Sequence, residues 1–126
     1  MNVSLPATVA RYRELLEKGD NLLLIDQLYA EDIQQVENDE APVIGKPVIR
    51  AMEKNNLNGV NSLEQKIVSL LIDEATGIVM GEMEIFFDSK KYGPKKLHEA
   101  FVQHWKNDKI VYQKFYYKSF INSNAG

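Results

Sequence analysis

The sequence predicts an α+β domain in which three N-terminal helices pack on an antiparallel sheet. Apolar residues recur at helical spacing in the first part of the chain, whereas long strand-like segments follow one another from Ser62 onward. The length of 126 residues corresponds to one domain, and a composition of 44% hydrophobic and 26% charged residues is typical of a globular protein. We therefore predict a single domain over residues 1–126.

Two helices are predicted in the first part of the chain. Ser4 suits the N-cap of the first helix, Pro6 its first turn and Gly19 its left-handed C-cap. The spacing of apolar residues predicts the buried faces, which are Val9, Tyr12, Leu15 and Leu16 in the first helix and Leu22, Ile25, Leu28 and Tyr29 in the second. Residues 30–38 lose the helical period, so we predict a short, weak strand there, followed by an exposed acidic loop at 37–40.

A third helix and four long strands complete the predicted fold. Gly45-Lys46-Pro47 is typical of a helix start, because proline loses no hydrogen bond at the first position, and residues 55–59 end that helix with asparagines and a glycine. The strands are predicted at residues 63–73, 78–88, 97–106 and 109–120. The connections at residues 73–77 and 107–108 have the composition of hairpin turns, which makes neighbouring strands antiparallel.

The Asn107-Asp108 turn predicts a register for the last hairpin. With that turn, His104 lies opposite Val111 and His98 lies opposite Tyr117. One face then carries His98, Ala100, Val102, His104, Val111, Gln113, Phe115 and Tyr117, and the other carries Glu99, Phe101, Gln103, Trp105, Ile110, Tyr112, Lys114 and Tyr116. Both faces are too apolar to be fully solvated. The helices must therefore cover one face, and a second surface must cover the other face. This predicts a homodimer through the outer face of the sheet.

Charge, cysteine content and hydropathy exclude several classes of protein. Fifteen basic and 18 acidic residues give a net charge of −3, so no basic field attracts nucleic acid. The absence of cysteine excludes disulfides, thiolate metal sites and thiol nucleophiles. The N-terminus has no signal-peptide pattern, and the longest apolar run, residues 22–25, is far too short for a membrane helix. We expect a cytoplasmic protein with no nucleic-acid or membrane partner and no cofactor or metal.

Three segments of the sequence resemble motifs of the nuclear transport factor 2-like superfamily. They are the helix start at residues 45–49, the hairpin at residues 101–111 with Trp105 before the turn, and the aromatic ending Lys114-Phe115-Tyr116-Tyr117, which is similar to the SnoaL-like (polyketide-cyclase-like) branch. The resemblance covers nearly the whole chain in element order. It implies a cystatin-like or SnoaL-like cone, in which three helices close a strongly curved sheet around a pocket. Many relatives dimerise through the outer sheet face, which agrees with the two apolar faces of the hairpin.

The catalytic residues of that family are not retained in this sequence. Limonene epoxide hydrolases and polyketide cyclases place an acidic residue on the last strand, where this chain has Phe115. The hydrolases also carry an arginine and an aspartate two residues apart, at positions that match Glu82 and Glu84 here. Many relatives end the last strand in aspartate, where this chain has Lys118. The resemblance therefore implies the fold and the pocket without hydrolase or cyclase chemistry.

Glu82 and Glu84 form the sharpest local candidate for acid–base chemistry. Residues two apart on a strand point to the same side, here together with Met80 and Phe86, while the alternate positions are all apolar. If the pair faced into a cone, its carboxyl groups would share a proton and one would act as a general base. The alternative is a solvated pair on the outer side of an amphipathic strand, because carboxylates are rarely buried without a partner.

Two histidines share one predicted face of the last hairpin. His98 and His104 lie about 20 Å apart along a strand, which is too far for them to bind one metal ion together. Each could act as a pocket acid or base beside Gln113 or Tyr117, or lie at the rim or on exposed sheet. A metal site built from His104 and the glutamate pair is a further alternative.

The sequence favours a small-molecule-binding domain. We expect the cone to bind a hydrophobic or amphipathic molecule through Tyr12, Glu82, Glu84, His98, His104, Gln113 and Tyr117. One alternative is an isomerase, cyclase or hydrolase that uses Glu82 and Glu84 as its acid–base pair. A second alternative is a protein-interaction module whose exposed sheet binds another protein.

Overall fold

The computed structural model describes residues 4–118 of the chain. Its helices are α1 (Leu5–Lys18), α2 (Asn21–Leu28) and α3 (Lys46–Asn58). Its strands are β1 (Tyr29–Glu37), β2 (Val43–Ile44), β3 (Val60–Asp73), β4 (Ile78–Ser89), β5 (Gly93–Lys106) and β6 (Lys109–Tyr117). The predicted order of helices and strands is confirmed apart from β2, which was not predicted. The predicted end of the last strand at Phe120 lies outside the described residues.

Local sequence signals set the helix ends where they were predicted. The Ala7 N–H donates to the Ser4 hydroxyl at the start of α1, and Gly19 ends the helix with a φ of 79°. Gly45 precedes α3, and Pro47 lies in its first turn, where its missing N–H has no helical partner to lose. These helices cover one face of the sheet, which we call the inner face; the opposite side is the outer face.

The six strands form one open sheet in the order β2-β1-β6-β5-β4-β3. The strands β3 to β6 pair in an antiparallel meander, as predicted. The predicted α+β fold is confirmed, but the sheet is mixed rather than antiparallel throughout, because β1 pairs with β6 in parallel. β1 follows α2 and enters the sheet beside the C-terminal strand, so no hairpin turn dictates its direction.

The buried core lies between the inner face and the helices. Val9 and Leu15 of α1 pack with Ile67 of β3 and Phe101 of β5, all essentially without solvent exposure. Gly81 makes this packing possible, because a Cβ atom there would lie 2.5 Å from the Ser69 carbonyl oxygen. None of the helices within residues 4–118 has the length and apolar character that a membrane-crossing helix needs.

A β-bulge changes the register of the last hairpin. Trp105 pairs with Ile110 as predicted, but His104 pairs with Tyr112, so Val111 is an extra residue without a partner on β5. The predicted pairing of His104 with Val111 is therefore wrong. Turn composition predicts where a hairpin reverses but does not reveal an extra residue three positions later.

Beyond the bulge, β6 presents the opposite set of side chains to the one predicted. Gln113 lies opposite Gln103, and Tyr117 lies opposite Glu99 rather than His98. A one-residue shift moves every following side chain to the other side of a strand. As a result, Gln113 and Tyr117 share the inner face with Glu99 and Gln103, away from the two histidines.

Candidate ligand-binding site

Three carboxyl groups meet on the inner side of the sheet. Glu37 ends β1, Glu53 lies on α3 and Glu99 lies on β5, and we call these three residues the acid cluster. They are far apart in sequence but close enough in space that the charges of Glu37 and Glu53 both act on Glu99. The parallel β1–β6 pairing and the helix α3 are what bring them together.

Glu99 is the most deeply buried member of the acid cluster. Its relative exposure is 8%, and it forms no hydrogen bond or ion pair with any residue between 4 and 118. Burial, followed by the charges of Glu37 and Glu53, raises the pKa of Glu99 to about 8. At neutral pH this side chain is therefore mostly a neutral carboxylic acid, which can donate a hydrogen bond.

Glu37 is joined to the C-terminal strand by a hydrogen bond with Tyr117. The pKa of Glu37 is raised by burial, while the bond with Tyr117 acts in the opposite direction. The pKa of the Tyr117 hydroxyl is raised by burial, and also by its bond to Glu37 and by the charge of Glu99. The phenol therefore stays protonated and donates to the carboxylate.

Glu53 is held by amide groups rather than by a cation. Asn21 donates to Glu53 at 3.2 Å, and burial raises the pKa of Glu53 against the effect of its bonds with Asn21 and Asn56. Gln65 of β3 in turn donates to the Asn21 side chain at 2.8 Å and to the Leu16 carbonyl at 2.8 Å. This chain of bonds links α3 to the sheet and fixes Glu53 toward the inner side.

A second polar network lies deeper on the inner face and contains two fully buried glutamines. Gln113 donates to the Tyr29 hydroxyl at 2.6 Å and to the Gln35 side chain at 2.7 Å. Its own oxygen accepts from Gln103 at 3.3 Å, and Gln103 accepts from the Trp105 indole at 3.1 Å. Every polar group of this network is used internally, so it positions the surrounding side chains.

Tyr12 of α1 joins this network from the helix layer through a hydrogen bond with Gln103. Its ring meets that of Trp105 edge-on, with centroids 6.0 Å apart. Burial raises the pKa of Tyr12, whereas its hydrogen bond with Gln103 lowers it and the charge of Glu99 raises it further. Tyr12 therefore lies between the glutamine network and the acid cluster.

Apolar side chains flank the acid cluster. Met83 lies directly opposite Glu99 on β4, and Leu97 precedes Glu99 by two residues on the same face. Ile85 pairs with Leu97, and Phe115 precedes Tyr117 by two residues; both are only partly buried. The site thus combines titratable groups with half-buried apolar surface that a ligand could cover.

The seven predicted ligand-binding residues divide between the two faces. Three of them, Tyr12, Gln113 and Tyr117, lie on the inner side. Tyr12 and Gln113 belong to the glutamine network, and Tyr117 is hydrogen-bonded to Glu37 of the acid cluster. The other four, Glu82, Glu84, His98 and His104, lie on the outer face. Ligand binding by any of the seven stays a prediction, but a single pocket lined by all of them does not exist in this fold.

The glutamate pair on β4 is solvated and partnered. Lys96 lies 3.0 Å from Glu84 and lowers its pKa, while Ser69 donates to Glu82 at 2.9 Å. His98 lies 3.4 Å from Glu82. The alternative of an outward pair is therefore confirmed, and the acid–base hypothesis, which required both carboxylates to face inward, has no basis in this geometry.

His104 also belongs to the outer face, where its ring lies against that of Tyr112 with centroids 5.0 Å apart. It cannot reach the acid cluster from there. Within the part of the chain that the structure describes, no group of three or more histidine, aspartate or glutamate side chains has the arrangement of a metal site.

The sequence contained a usable signal for Glu99 but only a weak one for the rest of the acid cluster. Alternation along β5 placed Glu99 on the face of Phe101, Gln103 and Trp105, and that face proves to be the inner one. Glu37 was assigned to an exposed acidic loop because nothing local indicates that β1 pairs with β6.

A large surface depression of about 830 Å³ lies away from the acid cluster, near the β5–β6 turn. Three of its charged groups have partners, since Lys46 lies 3.6 Å from Glu31 and Lys109 donates to the Gln27 carbonyl, and the other two, Asp32 and Lys106, are exposed. No buried side-chain nitrogen or oxygen among its lining residues lacks a hydrogen-bond partner. We therefore place the candidate site at the acid cluster, which contains the buried, unpartnered Glu99.

Comparison with solved structures confirms the fold. A protein from Mesorhizobium loti assigned as a SnoaL-like polyketide cyclase is 21% identical with a TM-score of 0.78, covering 91% of this chain and 100% of that one. An NTF2-like protein of unknown function from Exiguobacterium sp. 255-15 is 15% identical with a TM-score of 0.71, covering 89% and 98%.

An LEH-like epoxide hydrolase from M. tuberculosis is 13% identical with a TM-score of 0.72, covering 89% of this chain and 80% of that one. No protein-family model matches the sequence, and no curated protein is similar to it. At these identities the likeness concerns the fold, which is that of the SnoaL-like and NTF2-like proteins, as the sequence motifs implied.

Proposed function

We propose that this chain binds a small hydrophobic or amphipathic molecule on the inner face, beside the acid cluster. The observation that carries the proposal is Glu99, a nine-tenths buried carboxyl group without a partner in residues 4–118, flanked by Met83 and Leu97. Burying such a group without a hydrogen bond costs free energy, so folded proteins keep one where a ligand or a reaction uses it.

The surroundings support the same proposal. Pockets for small molecules are mostly apolar and carry a few polar groups that orient the ligand. Here the glutamine network is bonded internally, whereas Glu99 of the acid cluster has no partner in residues 4–118. The neighbouring folds include proteins assigned as a polyketide cyclase and as an epoxide hydrolase, whose names imply small organic substrates.

Thermal unfolding in the presence of lipophilic acids, steroids, alcohols and amines tests the proposal. A ligand present at 100 times its Kd stabilises the folded state by about 2.7 kcal/mol. Leu97→Trp should block the inner face and remove the stabilisation, whereas Val102→Trp, on the outer face of the same strand, should leave it. Binding that survives Leu97→Trp and is lost in Val102→Trp would contradict this site.

Proton transfer is the second candidate function, and a specific observation favours it. Glu99 has a pKa of about 8 beside Glu37, which is hydrogen-bonded to Tyr117. A general acid works best when its pKa lies near the working pH. The isomerase or cyclase alternative thus moves from Glu82 and Glu84 to Glu99 and Glu37. Deuterium exchange into small ketones, followed by NMR, should occur with the wild type and be lost in Glu99→Gln.

A homodimer through the outer face is proposed alongside ligand binding. Exposed apolar side chains lie on this face, among them Leu71, Met80 and Phe86 on neighbouring strands. An apolar sheet surface of this kind is usually covered by another protein surface. The remaining alternative, a module that binds a different protein through the same face, predicts a monomer with this surface uncovered.

A further inference from the structure

The acid cluster carries negative charge that no basic side chain balances. Glu37, Glu53 and Glu99 form no ion pair with any lysine, arginine or histidine of residues 4–118. Lys95, four residues before Glu99 on the same strand, forms none with it. Glu84 on the outer face, by contrast, has a lysine partner at 3.0 Å. The acid cluster therefore combines burial with the lack of the cation partner that Glu84 has.

The burial of Glu99 is an independent sign that something binds there. Its exposure is 8%, yet neither oxygen has a hydrogen-bond partner in the described chain. No completely enclosed side-chain oxygen or nitrogen in residues 4–118 lacks a partner, so the Glu99 oxygens keep an opening to the space in front of them. Glu37 and Glu53 lie near enough to Glu99 that their charges raise its pKa.

We propose that the site selects an organic cation, an amphipathic amine whose ammonium group lies among Glu37, Glu53 and Glu99 and whose apolar body covers Leu97 and Phe115. This inference rests on the proposed function and names the class of its ligand. An ammonium group donates up to three hydrogen bonds, one for each carboxyl group of the cluster. The aromatic faces of Phe115 and Tyr117 attract a cation as well.

Binding of the amine releases a proton. At neutral pH Glu99 is mostly protonated, so the ammonium group displaces its proton to solvent: the carboxylic acid and the alkylammonium ion give a carboxylate–alkylammonium pair and one H⁺. The titratable groups that face Glu99 are Glu37 from β1, Glu53 from α3, Tyr117 from β6 and Tyr12 from α1. Both tyrosines stay neutral below pH 9, so the three carboxyl groups supply the charge change.

Calorimetric titration of the full chain with three probes of one shape tests the inference. The probes are cyclohexylmethylamine, cyclohexylmethanol and cyclohexanecarboxylate, which share the ring and differ in charge. We expect the amine to bind at least tenfold more tightly than the alcohol, and the carboxylate not to bind. Because the fraction of ionised Glu99 rises about tenfold from pH 7 to pH 9, the affinity for the amine should rise about tenfold as well.

Titration in buffers of different ionisation enthalpy measures the released proton. We expect a proton release of between about 0.5 and 1 per amine bound at pH 7, since a group with a pKa of about 8 is roughly nine-tenths protonated there. The alcohol should release none. Equal affinity for the amine and the alcohol would overturn the choice of a cation while leaving the binding function intact. If none of the three probes binds, the proposed function itself fails.

Two variants keep the test independent of folding. Glu99→Gln should reduce the affinity for the amine at least tenfold and that for the alcohol by much less, and Glu37→Gln serves in the same way if the first variant does not fold. Glu82→Gln removes a charge from the outer face and should change neither affinity. Loss of amine binding in Glu82→Gln, or full retention in both inner variants, would overturn the inference.

Discussion

Glu99 and Tyr117 lie directly opposite each other on β5 and β6, with both side chains on the inner face. The Tyr117 hydroxyl is hydrogen-bonded to Glu37 on the next strand, β1. Three adjacent strands therefore contribute one ionisable group each to the same environment. The charge of Glu37 raises the pKa of Glu99, and the charges of both carboxyl groups raise the pKa of Tyr117.

The stability of the chain should fall as the pH rises from 5 to 9. Burial and neighbouring charge raise the pKa of Glu99 from 4.5 to about 8, so between these values the folded state holds a proton that the unfolded state releases. Its contribution is complete below pH 4.5 and is lost as the pH passes 8. Urea unfolding at several pH values should show a decrease of up to about 1.4 kcal/mol per pH unit.

Glu99→Gln should flatten this dependence, because glutamine does not titrate. Glu82→Gln, on the solvated outer face, should retain the wild-type slope. An identical slope in Glu99→Gln and the wild type would show that another group binds the proton.

Gln113→Ala should reduce the free energy of unfolding by about 2–4 kcal/mol, because buried groups that lose a hydrogen-bond partner each cost about 1–3 kcal/mol. The substitution removes the partner of Gln103, Tyr29 and Gln35 at once. Gln34→Ala, on the same strand as Gln35, is the control and should change the stability by no more than about 0.5 kcal/mol. Chemical denaturation measures both, and equal losses would refute a structural role for the network.

Gly81→Ala should destabilise the junction of β3, β4 and β5. The added Cβ atom would lie 2.5 Å from the Ser69 carbonyl oxygen and 2.7 Å from the Phe101 ring, and overpacking of this kind costs about 1–3 kcal/mol. At Gly59, after α3, the nearest atom is the Asn56 carbonyl oxygen at 3.3 Å, so Gly59→Ala should be milder. Thermal unfolding compares the two, and a Gly81→Ala variant as stable as the wild type would disprove the close approach.

Leu71→Arg should prevent formation of the proposed dimer. Leu71 is 70% exposed on the outer face and pairs with Met80, so a charge there would be buried in the proposed interface. Sedimentation velocity at micromolar concentration measures the change, with Leu23→Arg on α2 as a control that should leave the dimer intact. A monomeric wild type at that concentration would exclude a stable dimer.

The helices and the β3–β6 meander were predictable because their signals are local. Ser4, Gly19 and Pro47 act within one helical turn, and a hairpin turn dictates the direction of the strand that follows. The parallel pairing of β1 with β6 depends on the fold as a whole, because β6 lies about 80 residues later in the sequence and no turn links the two strands.

The candidate site was predicted only in part, for the same physical reason. Alternation correctly grouped Glu99 with Trp105 and Glu82 with Glu84, but it does not say which group the helices cover. Glu82 and Glu84 looked more reactive because two carboxylates stood together. In the structure the solitary Glu99 is the buried one, and long-range pairing supplies its acidic neighbours.

Val111 has a consequence for how this chain is compared with others. It is the residue of β6 without a partner on β5, so a hairpin that lacks it would keep the same side chains toward the site. A loss or gain of one residue anywhere between Tyr112 and Tyr117 would instead turn the side chains that follow it from one face of the sheet to the other. Alignments across this hairpin should therefore open their gap at Val111, since an ungapped alignment with a straight hairpin equates inner-face positions of one chain with outer-face positions of the other.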